Sequence, residues 1–134
     1  MYLLDTNTCI VYLKSADSVV RRRLESIAPD DIAVCSVVKA ELFYGAMRSR
    51  NPDRNLALQQ EFVNKFLSLP FDDNSAMIFG RIRSQLTAAG TPIGPYDLQI
   101  AAISLVHHCI LVTHNTREFR RVDGLQIEDW EAEG

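Results

Sequence analysis

Four polar residues stand where an α/β chain is expected to carry chemistry: Asp5, Glu41, Asp97 and Asn115. Asp5 ends the apolar run Tyr2-Leu3-Leu4. Glu41 lies inside "SVVKAELFYGA" (36–46), Asp97 follows Pro95 in "IGPYD", and Asn115 comes just after "CILVT" (109–113). Three of the four are carboxylates. Grouped carboxylates repel, and at least one pKa must rise unless something positive enters. A hard divalent cation is the usual answer, since Mg²⁺ and Mn²⁺ take oxygen ligands and complete their shell with water. Spacing alone leaves a blander reading open, because Asp is a common helix cap and each acid alone can be a cap or a surface charge.

The elements needed to gather these residues can be read from pattern. Residues 2–5 form a short buried strand, and a helix starts near Thr6, whose hydroxyl can cap it. A second helix covers 17–27, with Val19, Val20, Leu24 and Ile27 at helical spacing. "IAVCS" (32–36) is a strand, and Ser36 caps a helix to about Arg48. Arg50 to Asn55 reads as a polar loop, 56–69 as an amphipathic segment and 69–71 as a short strand. A helix from about Asn74 to Ala89 leads into the Gly/Pro loop "AAGTPIGPYD". Pro95 suits a first helical turn, and that helix runs to His107. "CILVT" is a strand, "NTREFRRVDG" a polar connection, and "LQIED" a last short strand. Strands alternating with helices predict an α/β domain with a mostly parallel sheet of four to five strands and helices on both faces. In such sheets ligands gather beyond the carboxyl ends of the strands, which is where Asp5 and Asn115 fall.

Composition narrows the classes. A chain of 134 residues that is 47% hydrophobic can build one sizeable core, so one domain over 1–134 is expected. Residues 1–13 lack a basic leader, and no apolar run approaches the ~20 residues of a membrane span. Cys9, Cys35 and Cys109 are scattered and odd in number, which speaks against zinc or a disulfide framework and for small core residues in a reduced, cytoplasmic setting. A net charge of −3 argues against coating nucleic acid non-specifically. The tail supplies much of it through Glu128, Asp129, Glu131 and Glu133.

Four stretches together resemble the PIN-domain ribonucleases, and among them the VapC toxins of toxin–antitoxin pairs. "LLDTN" is similar to the first family motif and carries Asp5. "SVVKAELFYGA" carries Glu41, "IGPYDLQIAA" carries Asp97, and "LVTHNTREFRRVDGLQIEDW" (111–130) resembles the C-terminal signature. The likeness spans nearly the whole chain in order. It implies a PIN-like fold and a Mg²⁺-dependent endoribonuclease, with Mn²⁺ as a substitute. Asp5 and Asp97 are then the metal ligands, with Glu41 orienting or deprotonating the attacking water. Thr6, Asn7 and Thr113 are expected to hydrogen-bond the carboxylates. The family's fourth acid falls on Asn115, a departure that puts a second metal in question; Glu118, three residues on, can supply the carboxylate if that segment is helical. The resemblance further implies an antitoxin partner, a homodimer with larger toxin–antitoxin assemblies possible, and an RNA substrate. Relatives by motif include toxins that cut the anticodon loop of initiator tRNA.

Other features divide between chemistry and packing. Arg48, Arg50 and Arg54 follow the Glu41 helix, and Arg117, Arg120 and Arg121 follow Asn115; these are the RNA-contact candidates. "RRR" at 21–23 fans around a helix, since successive residues lie ~100° apart, and reads as a solvated face. Phe62, Phe66 and Phe79 read as core, and Gly45 and Ala46 as a close helix contact. Two competing functions stay in view. A phosphatase of the haloacid dehalogenase type would use Asp5 as nucleophile, but wants a second Asp at position 7, where Asn stands. A non-catalytic binding module on the same fold would bind no divalent ion.

Overall fold

The computed structural model describes residues 1–132; Glu133, counted above with the acidic tail, lies outside the described residues. Five strands form one sheet: β1 (Tyr2–Leu4), β2 (Ile32–Cys35), β3 (Leu67–Leu69), β4 (Ile110–Val112) and β5 (Gln126–Glu128). Their order is β3-β2-β1-β4-β5, and every pairing is parallel. The middle strands are buried along most of their length: Leu3, Leu4, Ile32 to Cys35, Leu111 and Val112 are all at 0% exposure. Continuous apolar runs of this kind are what a sheet covered on both faces requires.

Helices connect the strands: α1 (Thr6–Lys14) and α2 (Val19–Glu25), α3 (Ser36–Met47) and α4 (Pro52–Val63), α5 (Asp73–Ala88) and α6 (Pro95–Val106), then the single turn α7 (Thr116–Phe119). The chain leaves β1 toward β2 and β3 on one side, and leaves β4 toward β5 on the other. Right-handed crossovers then put the two sets of helices on opposite faces. The order therefore switches between β1 and β4, the position where open α/β sheets form a crevice at the strand ends. At that switch Asp5 N donates to Val112 O at 3.1 Å.

Several local expectations shift. Asp5, not Thr6, caps α1: its side chain accepts from Thr8 N at 2.8 Å. Cys35 rather than Ser36 holds the cap position of α3. The loop expected at 50–55 is already helix from Pro52, because a proline fits the first turn where its missing N–H costs nothing. That start moves α4 forward, so it ends at Val63 and β3 begins at Leu67 rather than 69. Within the polar connection after β4 lies α7, too short for periodicity to reveal.

"RRR" is not a uniformly solvated face. Arg21 Nη2 donates to Tyr12 O at 2.7 Å and its guanidinium stacks 4.2 Å from the Tyr12 ring. Arg23 lies 3.4 Å from Glu128 and 5.6 Å over Trp130. Arg22 alone of the three is exposed. Phe62 is buried between Tyr12 and Phe66. Ala46 is buried as expected, but Gly45 is exposed, and a Cβ there would meet nothing within 4 Å. All three cysteines are buried and free. Among the described residues no helix is long and apolar enough to cross a membrane.

Candidate active site

The corner at Asp5 is built first. β1 ends where its carboxylate turns back to accept from Thr8 N, and the Thr8 hydroxyl reaches across to Val112 O at 3.2 Å, tying α1 to the end of β4. Asp5 is 5% exposed. Burial pushes its carboxyl above the usual range, while hydrogen bonds from Thr113 and Thr8 pull it back and the charge of Asp129 pushes it up further. Thr6, the first residue of α1, donates its hydroxyl to Glu41 Oε1 at 2.7 Å. One threonine therefore joins the Asp5 corner to α3.

Asp97 is the third residue of α6, after Gly94 and Pro95, with no side-chain cap at that end. Its carboxyl is pushed up to about 6, first by desolvation, then by the charges of Glu118, Asp5 and Glu41 and a hydrogen bond with Glu118. Residues 5, 41, 97 and 118 thus share one electrostatic neighbourhood at the switch between β1 and β4. Asn115 belongs to it in a different way. Its Nδ2 donates to Glu118 Oε2 at 3.0 Å, and its backbone N–H to Thr113 Oγ1 at 3.0 Å. The amide steers a carboxylate, and the one-turn helix α7 supplies the fourth acid from Glu118.

The chemistry of this donor set fits a hard divalent cation: four carboxylates, one of them with its carboxyl raised by desolvation and by the charges of the others. The bowl is open rather than tight. Among the described residues, three ligand atoms come within 4.8 Å of one another only at His114, Asp129 and Glu131. An ion among the four acids would therefore rely on water for part of its shell, as Mg²⁺ does.

The remaining candidates separate. Asn7 is exposed, and no hydrogen bond joins it to the acids among the described residues. Arg48 Nη1 donates to Tyr44 Oη at 2.8 Å on the outer surface of α3. Arg50, Arg54, Arg117 and Arg120 are exposed, while Arg121 donates to Pro92 O at 3.1 Å. Two residues at the site went unread from sequence. Thr8 showed as an ordinary helical residue, though a Thr three positions after a capping Asp is a usable signal. Asp129 showed only as the end of the last short strand and one of the tail's acids. Beside Glu41, a mostly apolar cavity of about 460 Å³ opens between α1, α3 and α4, lined by Ile10, Leu13, Leu42 and Leu58 with Arg21 and Gln59.

The family model of the PIN domain matches residues 2–125. The chain belongs to the VapC branch of the PIN-domain family. It is 40% identical to the tRNA(fMet)-specific endonuclease VapC of Salmonella typhimurium, over 96% of this chain and 97% of that one. With the protein of the same description from Shigella flexneri the identity is 42% over the same shares. Among solved structures, the DNA-bound VapBC of Salmonella typhimurium superposes at a TM-score of 0.91, with 40% identity and 96% and 97% of the two chains covered. FitAcB of Neisseria gonorrhoeae follows at 0.86 and 28%, covering 97% and 98%. The five parallel strands are the PIN-like sheet that the resemblance implied.

Proposed function

We propose that this PIN domain is an endoribonuclease toxin that needs a divalent cation and is silenced by a cognate antitoxin. The convergence of Asp5, Glu41, Asp97 and Glu118 carries this reading, above all the Asp97 carboxyl raised to about 6 by desolvation and by the charges of the other three. The relatives named as ribonucleases and as tRNA(fMet)-specific endonucleases support it.

Asp5 and Asp97 would hold the ion, with Mg²⁺ the expected metal and Mn²⁺ its substitute. When bound it would supply charge to offset the phosphoryl oxygens and to acidify water near neutral pH. The protein's own residues do the rest. Glu41, fixed by Thr6, takes a proton from the water aimed at phosphorus, and a P–O bond of the RNA breaks as the new one forms. Glu118, steered by Asn115, and Thr113 hold the other carboxylates in place. No nucleophilic side chain is required. The alternative use of Asp5 as a phosphatase nucleophile is disfavoured by the structure, since its carboxylate is taken up as the cap of α1 and position 7 carries an exposed Asn.

The substrate proposed is initiator tRNA, cut in its anticodon loop. A VapB-type antitoxin would cover the apolar cavity beside Glu41, where Arg21 Nε and Gln59 Oε1 are buried without hydrogen-bond partners. A homodimer, joined into larger assemblies by the antitoxin, and a cytoplasmic setting belong to the same reading. The test is mapping of RNA 5′ ends after induction of wild type and of Asp5→Asn, with purified protein assayed on an initiator tRNA transcript. New 5′ ends should appear with the wild type alone. Full-rate cleavage by Asp5→Asn and Asp97→Asn would remove the assignment, and failure to bind Mg²⁺ or Mn²⁺ would favour a non-catalytic module.

A further inference from the structure

The acidic C-terminal stretch is fastened to the site. Trp130 is 1% exposed, donates Nε1 to Glu128 Oε1 at 3.0 Å and meets Tyr2 edge-on at 5.5 Å between centroids. Thr113 N donates to Glu128 O at 2.9 Å. These contacts set Asp129 beside the exit of β4. Asp129 Oδ1 accepts from the backbone of Glu131 at 3.0 Å and of Ala132 at 3.3 Å. Its two oxygens lie 3.2 and 3.0 Å from His114 Nδ1, and Glu131 Oε2 lies 3.8 Å from the same nitrogen.

An imidazole is therefore gripped from one side by a carboxylate that backbone donors hold rigid. Nδ1 is committed. Nε2 has no partner among the described residues, and 63% of the side chain is open to solvent. The position is at the edge of the acid bowl: Asp129 acts electrostatically on Asp5, and Asp5 on His114. The hydrogen bond to Asp129, then Glu131 and Asp129 as charges, hold the imidazole above its ordinary pKa, so the ring favours its cationic form. A purely structural clasp is a weak account of this pair. An exposed ion pair adds little to stability, and Trp130 with the β4–β5 ladder already anchors the segment.

We propose that His114, oriented by Asp129, binds the RNA, donating Nε2–H to a phosphate oxygen beside the acid bowl. This rests on the endoribonuclease reading. The rim is crowded with carboxylates that repel a polyanion, and a donor fixed in direction by Asp129 answers that repulsion at one phosphate. Asp129 and Glu131 are positioning residues here. No covalent bond changes at the ring.

The test uses the full chain with Mg²⁺ and an initiator tRNA transcript, comparing wild type, His114→Gln and His114→Arg across a salt series. The glutamine variant should raise KM about tenfold with kcat within about twofold, and should flatten the salt dependence by about one unit of slope. The arginine variant should recover most of the KM. An unchanged KM and slope in His114→Gln would overturn the proposal. So would a fall in kcat at constant KM, which would make the ring a participant in bond cleavage, or an arginine variant no better than glutamine. A parallel arm measures Kd for the fluorescein-labelled transcript with Mg²⁺ omitted. If wild type binds but never cuts, the endoribonuclease reading fails, while the Kd ratio still decides the role of His114: about tenfold weaker binding for His114→Gln upholds it and equal affinity ends it.

Discussion

Asp5 and Asp97 each open a helix at the same rim, and the fold treats them differently. Asp5 is the cap itself, taken up by Thr8 N and by the Thr113 hydroxyl. Those neutral donors oppose the effect of burial on its charge. Asp97 sits two residues beyond Pro95 with no such set of donors, and its surroundings are other acids. The helix dipole favours an acid in that first turn, but desolvation and three carboxylates outweigh it. One corner stabilises its anion with dipoles built into the fold. The other leaves its anion to be neutralised by a proton or a cation.

The largest expected effect breaks both corners. Asp5→Asn and Asp97→Asn should each lower RNA cleavage by at least about 10²-fold, the scale of losing a charged group that acts on the transition state. Cleavage of the initiator tRNA transcript at fixed Mg²⁺ measures this. The corners should then part in stability. With chelator present, Asp97→Asn should melt higher than wild type because a repulsive charge is gone. Asp5→Asn should show less gain, since Asp5 already has its donors.

That asymmetry also marks what was legible in the sequence. The strands and long helices were readable because a buried parallel strand needs an unbroken apolar run, as in Ile32 to Cys35, and because Val19, Val20, Leu24 and Ile27 repeat at helical spacing. Asp5 and Asp97 were readable as a strand-end and a helix-start residue, Glu41 only as a residue within the helix after the second strand, and the motif resemblance grouped them. Ends were harder. Whether Asp5 or Thr6 caps α1 depends on which side chain the rim needs elsewhere, and Glu41 claims the Thr6 hydroxyl. Asn115 looked like a gap in the acid set because pattern cannot show that its amide reaches Glu118. Asp129 was hidden for a related reason: only the burial of Trp130 makes the acidic tail part of the wall.

A pH series sharpens the comparison at a smaller scale. Asp97 titrates near 3.8 when unfolded and about 6 when folded. Between those values the native state binds more protons than the unfolded one, so stability must fall as pH rises through that window. The group is half-buried, and after solvent screening the loss is about 1 kcal/mol. Chelated wild type should therefore lose stability between about pH 4 and 6.5 in denaturant titrations. Asp97→Asn should flatten most of that slope, leaving a residue of the same sign from Asp5, whose carboxyl is also raised. Adding Mg²⁺ at pH 7.5 should stabilise wild type more than Asp97→Asn. Equal stabilisation would mean that the ion does not use Asp97.

Within the Asp5 corner, the bond from Thr6 to Glu41 tests how far positioning matters. Thr6→Val keeps the shape of the side chain and removes the donor at 2.7 Å. Groups that hold a ligand or base in place typically contribute 10- to 100-fold, and a loss of about tenfold in kcat with the melting temperature little changed is the expected result. Asn7→Ala, one residue on and exposed, should leave kcat within about twofold. If the two variants behave alike, Glu41 does not depend on Thr6 for its aim.

The smallest effect separates two arginines of the segment that carries Glu118. Arg117 is exposed and bonds to nothing else in the fold among the described residues, whereas Arg121 donates to Pro92 O, tying the turn after α7 to the loop before α6. If Arg117 meets an RNA phosphate, Arg117→Ala should raise KM two- to fivefold and reduce the salt slope by about one unit, with no change in melting temperature. Arg121→Ala should do the reverse. It gives up a bond that steadies Asp97's loop, so a fall of a degree or two in melting temperature is expected with little change in salt slope. A shared salt response in both variants would show that this edge binds RNA as a diffuse positive field, and that the contact of Arg121 with Pro92 yields when substrate arrives.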